Sequence, residues 1–539
     1  MKLVTVSEMR AIEQEADANG LTYAKMMENA GRGLAQEIQV LSYSIDGREV
    51  LALVGSGNNG GDALVALAHL AADDWRTRAY LVRRDPAGDP LVERLQKAGG
   101  EILSAADDPN FEKLAAFIET ADVVVDGVLG TGFKLPLKPD VAGVLDAVNQ
   151  AIAGLDWPPY VVAVDCPSGI DCDSGEAAPE VIPASLTVCM AAIKRGLLTL
   201  PAFDLAGELR VAEIGLADEK SWQAIRYEVA DDELVADLLP DRPSDAHKGT
   251  FGTALIAAGS LNYPGAALLA GKAAYRAGAG LVQMAVPAPV QAMMASSLPE
   301  ATWALLPHEM GSISANAAEG LSKNFERATA LLVGPGLGTE EATAKFIENL
   351  FKGKSPARKT VGIGFVHQKN EQKDADKVGL PPLVVDADGL RLLAKLEKWH
   401  ELLPAPAILT PHPGEMAALT GLEKDAIQLD RPEIALKFAA EWGHVVVLKG
   451  AFTVIAAPDG RATLIPVAHP ALARAGSGDV LAGLIVGLRA QGLDAYESAV
   501  AGAWIHAQAG LLAAEKVGAA ASVLAGDILD AVPDALSGF

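Results

Sequence analysis

Apolar residues recur at helical spacing across positions 5–40, with Ser7 as the expected N-cap. Beyond them the pattern changes to short apolar runs at 50–54, 78–82, 123–126 and 160–165, each separated from the next by a helical or loop stretch. This is the rhythm of βαβ units feeding one parallel sheet. A mixed segment, 186–214, closes the series. A second series starts at 253–258 and returns at 281–286, 330–333, 383–386, 407–410 and 445–449; from 478 onward the chain reads as mostly helical. Between the two series the periodicity weakens, and 231–247 (DDELVADLLPDRPSDAH) is acidic and holds two prolines, as an inter-domain connection does. The pattern predicts two α/β domains, 1–225 and 228–539. The polar, aperiodic stretch 368–377 (QKNEQKDADK) is expected to form a surface loop.

Composition narrows the function. A net charge of −25 repels a polyanion, which excludes nucleic acid as a partner, whereas a small phosphorylated ligand can still be met by helix N-termini. Cys166, Cys172 and Cys189 have no metal-like spacing, and their odd count points to reduced thiols that pack in a core. The start MKLVTVSEMRAIEQEA turns acidic at once, and no apolar run reaches the ~18 residues of a membrane span. A soluble, cytoplasmic protein with no membrane partner is expected.

In the first half, LALVGSGNNGGDALVALAHL ends a strand at Val54 and places Gly55, Gly57 and Gly60 before a helix expected near Gly61. Such glycines let backbone approach a phosphate. A dehydrogenase would carry an acidic residue at the end of the next strand, where this chain has Arg83 and Arg84, read as solvated. Asn58, Asn59 and Asp62 add oxygen that a pyrophosphate cradle does not need. VVVDGVLGTGFKLP then ends a strand at Asp126, and YVVAVDCPSGID ends another at Asp165 before Pro167, Ser168 and Gly169. Each turn alone is explained by ordinary turn chemistry. Three parallel strands ending this way place their polar residues along one crevice.

MMENAGRGLA, GSGNNGGDAL, DGVLGTG and DCPSGID, in this order over about 4–216, resemble the signatures of the NAD(P)H-hydrate epimerase family. The resemblance implies that Asn59, Asp126 and Ser168 coordinate K⁺. It also implies a hydrated-nicotinamide pocket lined by Asn58, Asn59, Gly60, Gly61, Asp62, Gly130, Thr131, Gly132, Phe133, Lys134, Leu135, Pro136 and Asp165. Several oxygen ligands suit K⁺, and Asp165 is the candidate for the proton transfers of epimerisation. Ala63 departs from the glycine usual in the family.

In the second half, ARAGSGDVLAGLIVGL sets Gly476, Ser477 and Gly478 in a turn before an apolar helix opened by Asp479. The amides can meet an anion and the carboxylate can act as a base; the alternative is a plain helix cap. Upstream stand HVVVLKGAFTVI, a strand, turn and second strand, then ILTPHPGEMAAL, VVDADGL and LLVGPGLGT. Over about 247–529 this set resembles the ribokinase-like ADP/ATP-dependent NAD(P)H-hydrate dehydratase family. The resemblance implies that Ala266, Gly336, His412 and Asp479 meet the hydrate, and that Lys449, Gly450, Ala451, Phe452, Thr453 and Gly478 hold ADP or ATP with Mg²⁺. Arg391, where the family often has Asn, and the 368–377 insertion are departures read as lying away from the GSGD turn.

The fold class implied is α/β, a Rossmann-like three-layer domain followed by a ribokinase-like α/β domain. The expected function is bifunctional repair of hydrated NADH and NADPH, and the expected assembly is a homo-oligomer. The rivals are a ribokinase-like sugar or vitamin kinase with an accessory nucleotide-binding domain, and a non-enzymatic nucleotide-binding scaffold. The kinase leaves GSGNNGGD, DGVLGTG and PSG without a role. The scaffold is at odds with the presence of Asn59, Asp126 and Asp165.

Overall fold

Strand Glu49–Val54 buries Val50, Ala52 and Val54 in one apolar cluster, and Leu51 and Leu53 in another. Side chains alternate across a strand, so burial on both faces requires cover on both faces. A computed structural model describes residues 1–41, 47–217, 219–353 and 379–539 and supplies that cover; the expected 368–377 loop lies outside these residues. The chain divides into two compact units, Met1–Val229 and Ala230–Phe539.

In the first unit seven strands run parallel in the order Glu101–Ser104, Arg76–Leu81, Glu49–Val54, Val123–Gly127, Tyr160–Val164, Leu186–Met190 and Glu208–Ala212. Helices Tyr23–Leu41 and Asn58–Ala72 pack on one face, Glu112–Thr120 and Pro139–Ala153 on the other, giving three layers. Strand order reverses between Glu49–Val54 and Val123–Gly127. The carboxyl edge at such a reversal opens a crevice where ligands bind.

In the second unit the order is Ala462–Leu464, Val454–Ala456, Val445–Leu448, Ile408–Leu409, Leu383–Val385, Ala330–Val333, Thr253–Ala257, Leu281–Pro287 and Thr302–Leu306. The first three strands pair antiparallel and the rest parallel. Helices Pro264–Arg276, Ser477–Ala490, Ala495–Val517 and Ala525–Leu536 share one core with the sheet. Gly483 and Gly487 bring two of these helices together: a Cβ would lie 2.4 Å from the Ala270 carbonyl oxygen at the first and 2.6 Å from that of Ala274 at the second. The helix carrying Asp479 is thereby packed against the one carrying Ala266.

Three expectations are corrected. The first helix is capped by Thr5, not Ser7, because Thr5 has Glu8 three residues on: Thr5 Oγ1 accepts from Glu8 N at 3.2 Å, and Glu8 Oε2 accepts from Thr5 N at 2.7 Å. The segment read as a connection opens with helix Asp232–Leu238, capped by Asp231 and packed through Val235 into the second core. The short strands Thr302–Leu306 and Ala462–Leu464 were not foreseen. Among the described residues no helix is long and apolar enough to cross a membrane, and the three cysteines are buried free thiols.

Candidate active sites

The helix after the glycine-rich turn begins at Asn58, with Gly57 as N-cap, rather than near Gly61. Gly60 and Gly61 are therefore helical, and what they provide is close packing. A Cβ would lie 2.0 Å from the Gly55 oxygen at Gly60 and 2.7 Å from Met27 Cε at Gly61, while one at Gly55 would lie 1.9 Å from the Val128 oxygen. Arg84 is not solvated. It donates to the Gly55 oxygen at 3.1 Å and pairs with Asp89 at 2.8 Å, bracing the turn. Arg83 is half-exposed and pairs with Asp140 at 3.1 Å.

The structure brings Asn59, Asp126 and Ser168 together. Asp126, fully buried, accepts from Ser168 Oγ at 2.6 Å, from Ser168 N at 2.7 Å and from Val128 N at 3.3 Å. Ser168 Oγ accepts from Leu129 N at 2.8 Å. Asn59 Nδ2 donates to the Leu129 and Val164 carbonyls, and its Oδ1 would lie 2.3 Å from any Cβ at Gly130. Burial pushes the Asp126 carboxyl up despite the Ser168 bonds, and among the described residues no cationic side chain pairs with it. A buried carboxylate beside amide, hydroxyl and carbonyl oxygens is a donor set that fits K⁺.

Asp165 follows strand Tyr160–Val164 with a left-handed φ of 67°. Its Oδ1 accepts from Met190 N at 2.9 Å and from Lys194 Nζ. Lys194 went unnoticed in the sequence, where the only sign is a lysine closing the apolar run VCMAAIK. It is 1% exposed and also donates to the Met190 and Ala192 carbonyls, both at 3.0 Å. Nearby Asp62 is buried, and burial, with Asp165 and Glu13 adding, pushes its carboxyl well up. Thr131, Gly132, Phe133 and Lys134 line a cavity of about 240 Å³ with Val6, Arg10 and Cys172, whereas Gly130, Leu135 and Pro136 lie outside that lining.

In the second unit the GSGD turn is capped by Gly476, at φ 90°, and Asp479 is the third residue of helix Ser477–Ala490. Asp479 is not the cap. Burial, with Asp386 adding, pushes its carboxyl up to about 7 against the pull of Lys449. Lys449 Nζ lies 2.8 Å from Asp386 Oδ1 and 3.8 Å from Glu415 Oε2, and 3.5 Å from where a Cβ on Gly478 would stand. Thr410 Oγ1 donates to Asp386 at 2.6 Å. Gly336, at φ 62°, has room for no side chain, since a Cβ would lie 2.8 Å from that of Ala266. His412 caps helix Pro413–Thr420: its Nδ1 accepts from Gly414 N at 2.9 Å, and Glu415 closes the box. Arg391 stands closer to the site than its sequence position indicated, 3.8 Å from Glu415 and 3.9 Å from Asp388.

Two further residues were missed because their partners are remote in sequence. Arg431, half-buried at the start of helix Arg431–Trp442, donates to the carbonyls of Leu448 at 2.9 Å, Ala451, and Phe452 at 3.5 Å. It thus holds loop 449–453 from behind, against Gly450, where a Cβ would lie 2.9 Å from the guanidinium. His506, buried on helix Ala495–Val517, lies 3.0 Å through Nε2 from Ser477 Oγ. Burial brings its pKa down to about 4, so the neutral ring shares a hydrogen bond with the Ser477 hydroxyl.

The family model described as NAD(P)H-hydrate dehydratase matches residues 254–534, and the one described as YjeF-related protein N-terminus matches 23–196. The chain is 37% identical to the bifunctional NAD(P)H-hydrate repair enzyme Nnr of Moorella thermoacetica, over 99% of this chain and 96% of that protein. It is 32% identical to the Escherichia coli protein of the same name, over 96% and 88% respectively. A crystal structure of the ADP/ATP-dependent NAD(P)H-hydrate dehydratase from Bacillus subtilis, co-crystallized with ATP/Mg²⁺, is 32% identical and matches 58% of this chain and 99% of its own with a TM-score of 0.47. With near-complete coverage of relatives at this identity, and with a domain model matching in each half, the chain belongs to the bifunctional NAD(P)H-hydrate repair enzyme family.

Proposed function

We propose that residues 1–225 epimerise the R and S forms of hydrated NADH and NADPH, and that residues 228–539 dehydrate the S form at the expense of ADP or ATP. The observation that carries the second activity is Asp479. It stands in the first turn of a 14-residue helix, its carboxyl pushed up to about 7, beside the Lys449 ammonium. A base with this proton affinity exchanges its proton near neutral pH. Asp479 takes the proton of the hydrate hydroxyl as that oxygen bonds to the terminal phosphorus of the nucleotide and the bridging P–O bond breaks, releasing AMP from ADP or ADP from ATP. The amides of Gly476–Gly478 and the Lys449 ammonium face the charge that develops there. The C–O bond of the new phosphate ester then breaks, inorganic phosphate leaving with the bonding pair as the adjacent ring carbon gives a proton to solvent, which restores the dihydronicotinamide. Mg²⁺ bound to the nucleotide phosphates supplies charge neutralisation. Ala266, Gly336 and His412 receive the hydrate, and loop 449–453 with Gly478 receives the nucleotide.

In the first unit Asp165 moves the protons, with Asn58, Gly60, Gly61, Asp62 and the 130–136 loop around the nicotinamide. K⁺ is held by Asn59, Asp126 and Ser168, where it orders the crevice. The test is direct: chemically hydrated NADH is incubated with ADP or ATP, and the reduced-nicotinamide absorbance should return in full, since the R form is recycled. Return of only the S fraction would remove the epimerase reading. No return with either nucleotide would remove the dehydratase reading.

A further inference from the structure

A lysine buried to 1% exposure beneath Asp165 is not required for a strand to form, and burying its charge is costly unless every donor is matched. Here the match is complete. An ammonium has three donors, and those of Lys194 go to Asp165 Oδ1, the Met190 carbonyl and the Ala192 carbonyl. Its backbone is fixed as well, since Ile193–Lys194 pairs with Leu3–Val4. Despite burial its proton is held more tightly than usual, Asp165 being the main cause, so it neither gives up a proton nor swings to another partner.

Asp165 is constrained from its own side. Its amide donates to the Val188 carbonyl at 2.8 Å, and Oδ1 accepts from both Lys194 and Met190 N. No hydrogen bond from the described residues reaches Oδ2. The other ionisable groups facing this pair are acidic or thiol: Glu13 from helix Val6–Ala18, Asp62 from helix Asn58–Ala72, Cys189 from strand Leu186–Met190, and Cys166 and Cys172 from the PSG turn. Arg10, the nearest other cation, acts on Glu13 and donates to the Thr131 carbonyl at 3.2 Å. Lys194 is therefore the cation that offsets this acidic cluster.

We infer that Lys194 is a positioning residue of the epimerase site: its fully committed ammonium holds Oδ1 of Asp165 and leaves Oδ2 as the single proton-transferring atom. This rests on the reading of Asp165 as the base. Without the ammonium, Asp165 would face Glu13 and Asp62 with no cation holding Oδ1.

The experiment uses the full chain and follows R/S interconversion of hydrated NADH against pH, with dehydration of the S form as an internal measure of folded enzyme. Lys194→Gln should lower epimerase kcat at neutral pH by about tenfold or more. The acid limb of its pH profile should move up by at least about one unit, with KM for the hydrate little changed. Lys194→Arg keeps the charge and should keep the wild-type limb. A purely structural lysine would lower the folded amount and leave the limb in place, and that result in Lys194→Gln overturns the inference. If Lys194→Gln does not fold, a displaced limb in Lys194→Arg overturns it and a wild-type limb there supports it. Epimerase activity retained in Asp165→Asn would instead show that the base was misassigned, a separate failure.

Discussion

Each proposed site centres on one aspartate, and the two are held in opposite ways. Asp165 shares an oxygen with a lysine whose other donors are spent on backbone carbonyls, so the cation is dedicated to it. Asp479 has to share: Lys449 stands 2.8 Å from Asp386 and 3.8 Å from Glu415, and the Asp479 carboxyl rises to about 7. The same residue type is thus tied through one oxygen to a dedicated cation in one crevice, and pushed up by burial in the other. The surroundings assign the role.

The sharpest way to break this contrast is Asp479→Asn. General-base catalysis contributes about 10²–10⁴-fold, so dehydratase turnover should fall by that order while epimerisation is unchanged. Near-normal turnover would remove Asp479 from the mechanism. On the other side, Asp126→Ala should cut epimerisation by roughly tenfold or more and spare dehydration, because the hydrogen bonds holding the Ser168 turn and the oxygen set for K⁺ are lost together. An anomalous-scattering map from crystals grown in a potassium salt should place the ion beside Asp126, and water there would refute the assignment.

A smaller effect is expected from Arg431→Ala, which removes the support of three loop carbonyls. Nucleotide KM should rise by about tenfold, equivalent to roughly 1.4 kcal/mol, with hydrate KM unchanged; equal rises in both would show general unfolding. The mildest test concerns pH. The folded Asp479 carboxyl has a pKa of about 7, above the unfolded value of 3.8. Between these values the folded state binds more protons than the unfolded one, so stability falls as pH rises through this window. Asp479→Asn should therefore raise the unfolding midpoint of the second unit by a few degrees above pH 7, seen by calorimetry, and leave it little changed near pH 4.

Short continuous apolar runs located most sheet strands to within one or two residues, because burial on both faces leaves little choice of residue. The sheet strands that escaped notice include Glu101–Ser104, Thr302–Leu306 and Ala462–Leu464, which are short and lie at or beside a sheet edge, where the pattern is weak. Glycines read as turn-makers hid the helix starting at Asn58, since their true work is to admit Gly55 and Met27. Asn59, Asp126 and Ser168 were legible because Asn59 opens a helix, Asp126 stands at the end of a strand and Ser168 lies in the turn after another strand. Lys194, Arg431 and His506 were not, because each acts on a partner that only the fold brings near.

The hydrogen bond between Ser477 and the neutral ring of His506 has a consequence for binding thermodynamics. The turn that would receive the nucleotide phosphates is tied to the middle of a 23-residue helix buried over most of its length. Its ordering entropy is thus lost during folding, before any ligand arrives. Amide exchange at Ser477 and Gly478 should be slow in the free protein and scarcely slower in the complex. The motion quenched by the nucleotide should lie in its own phosphate chain.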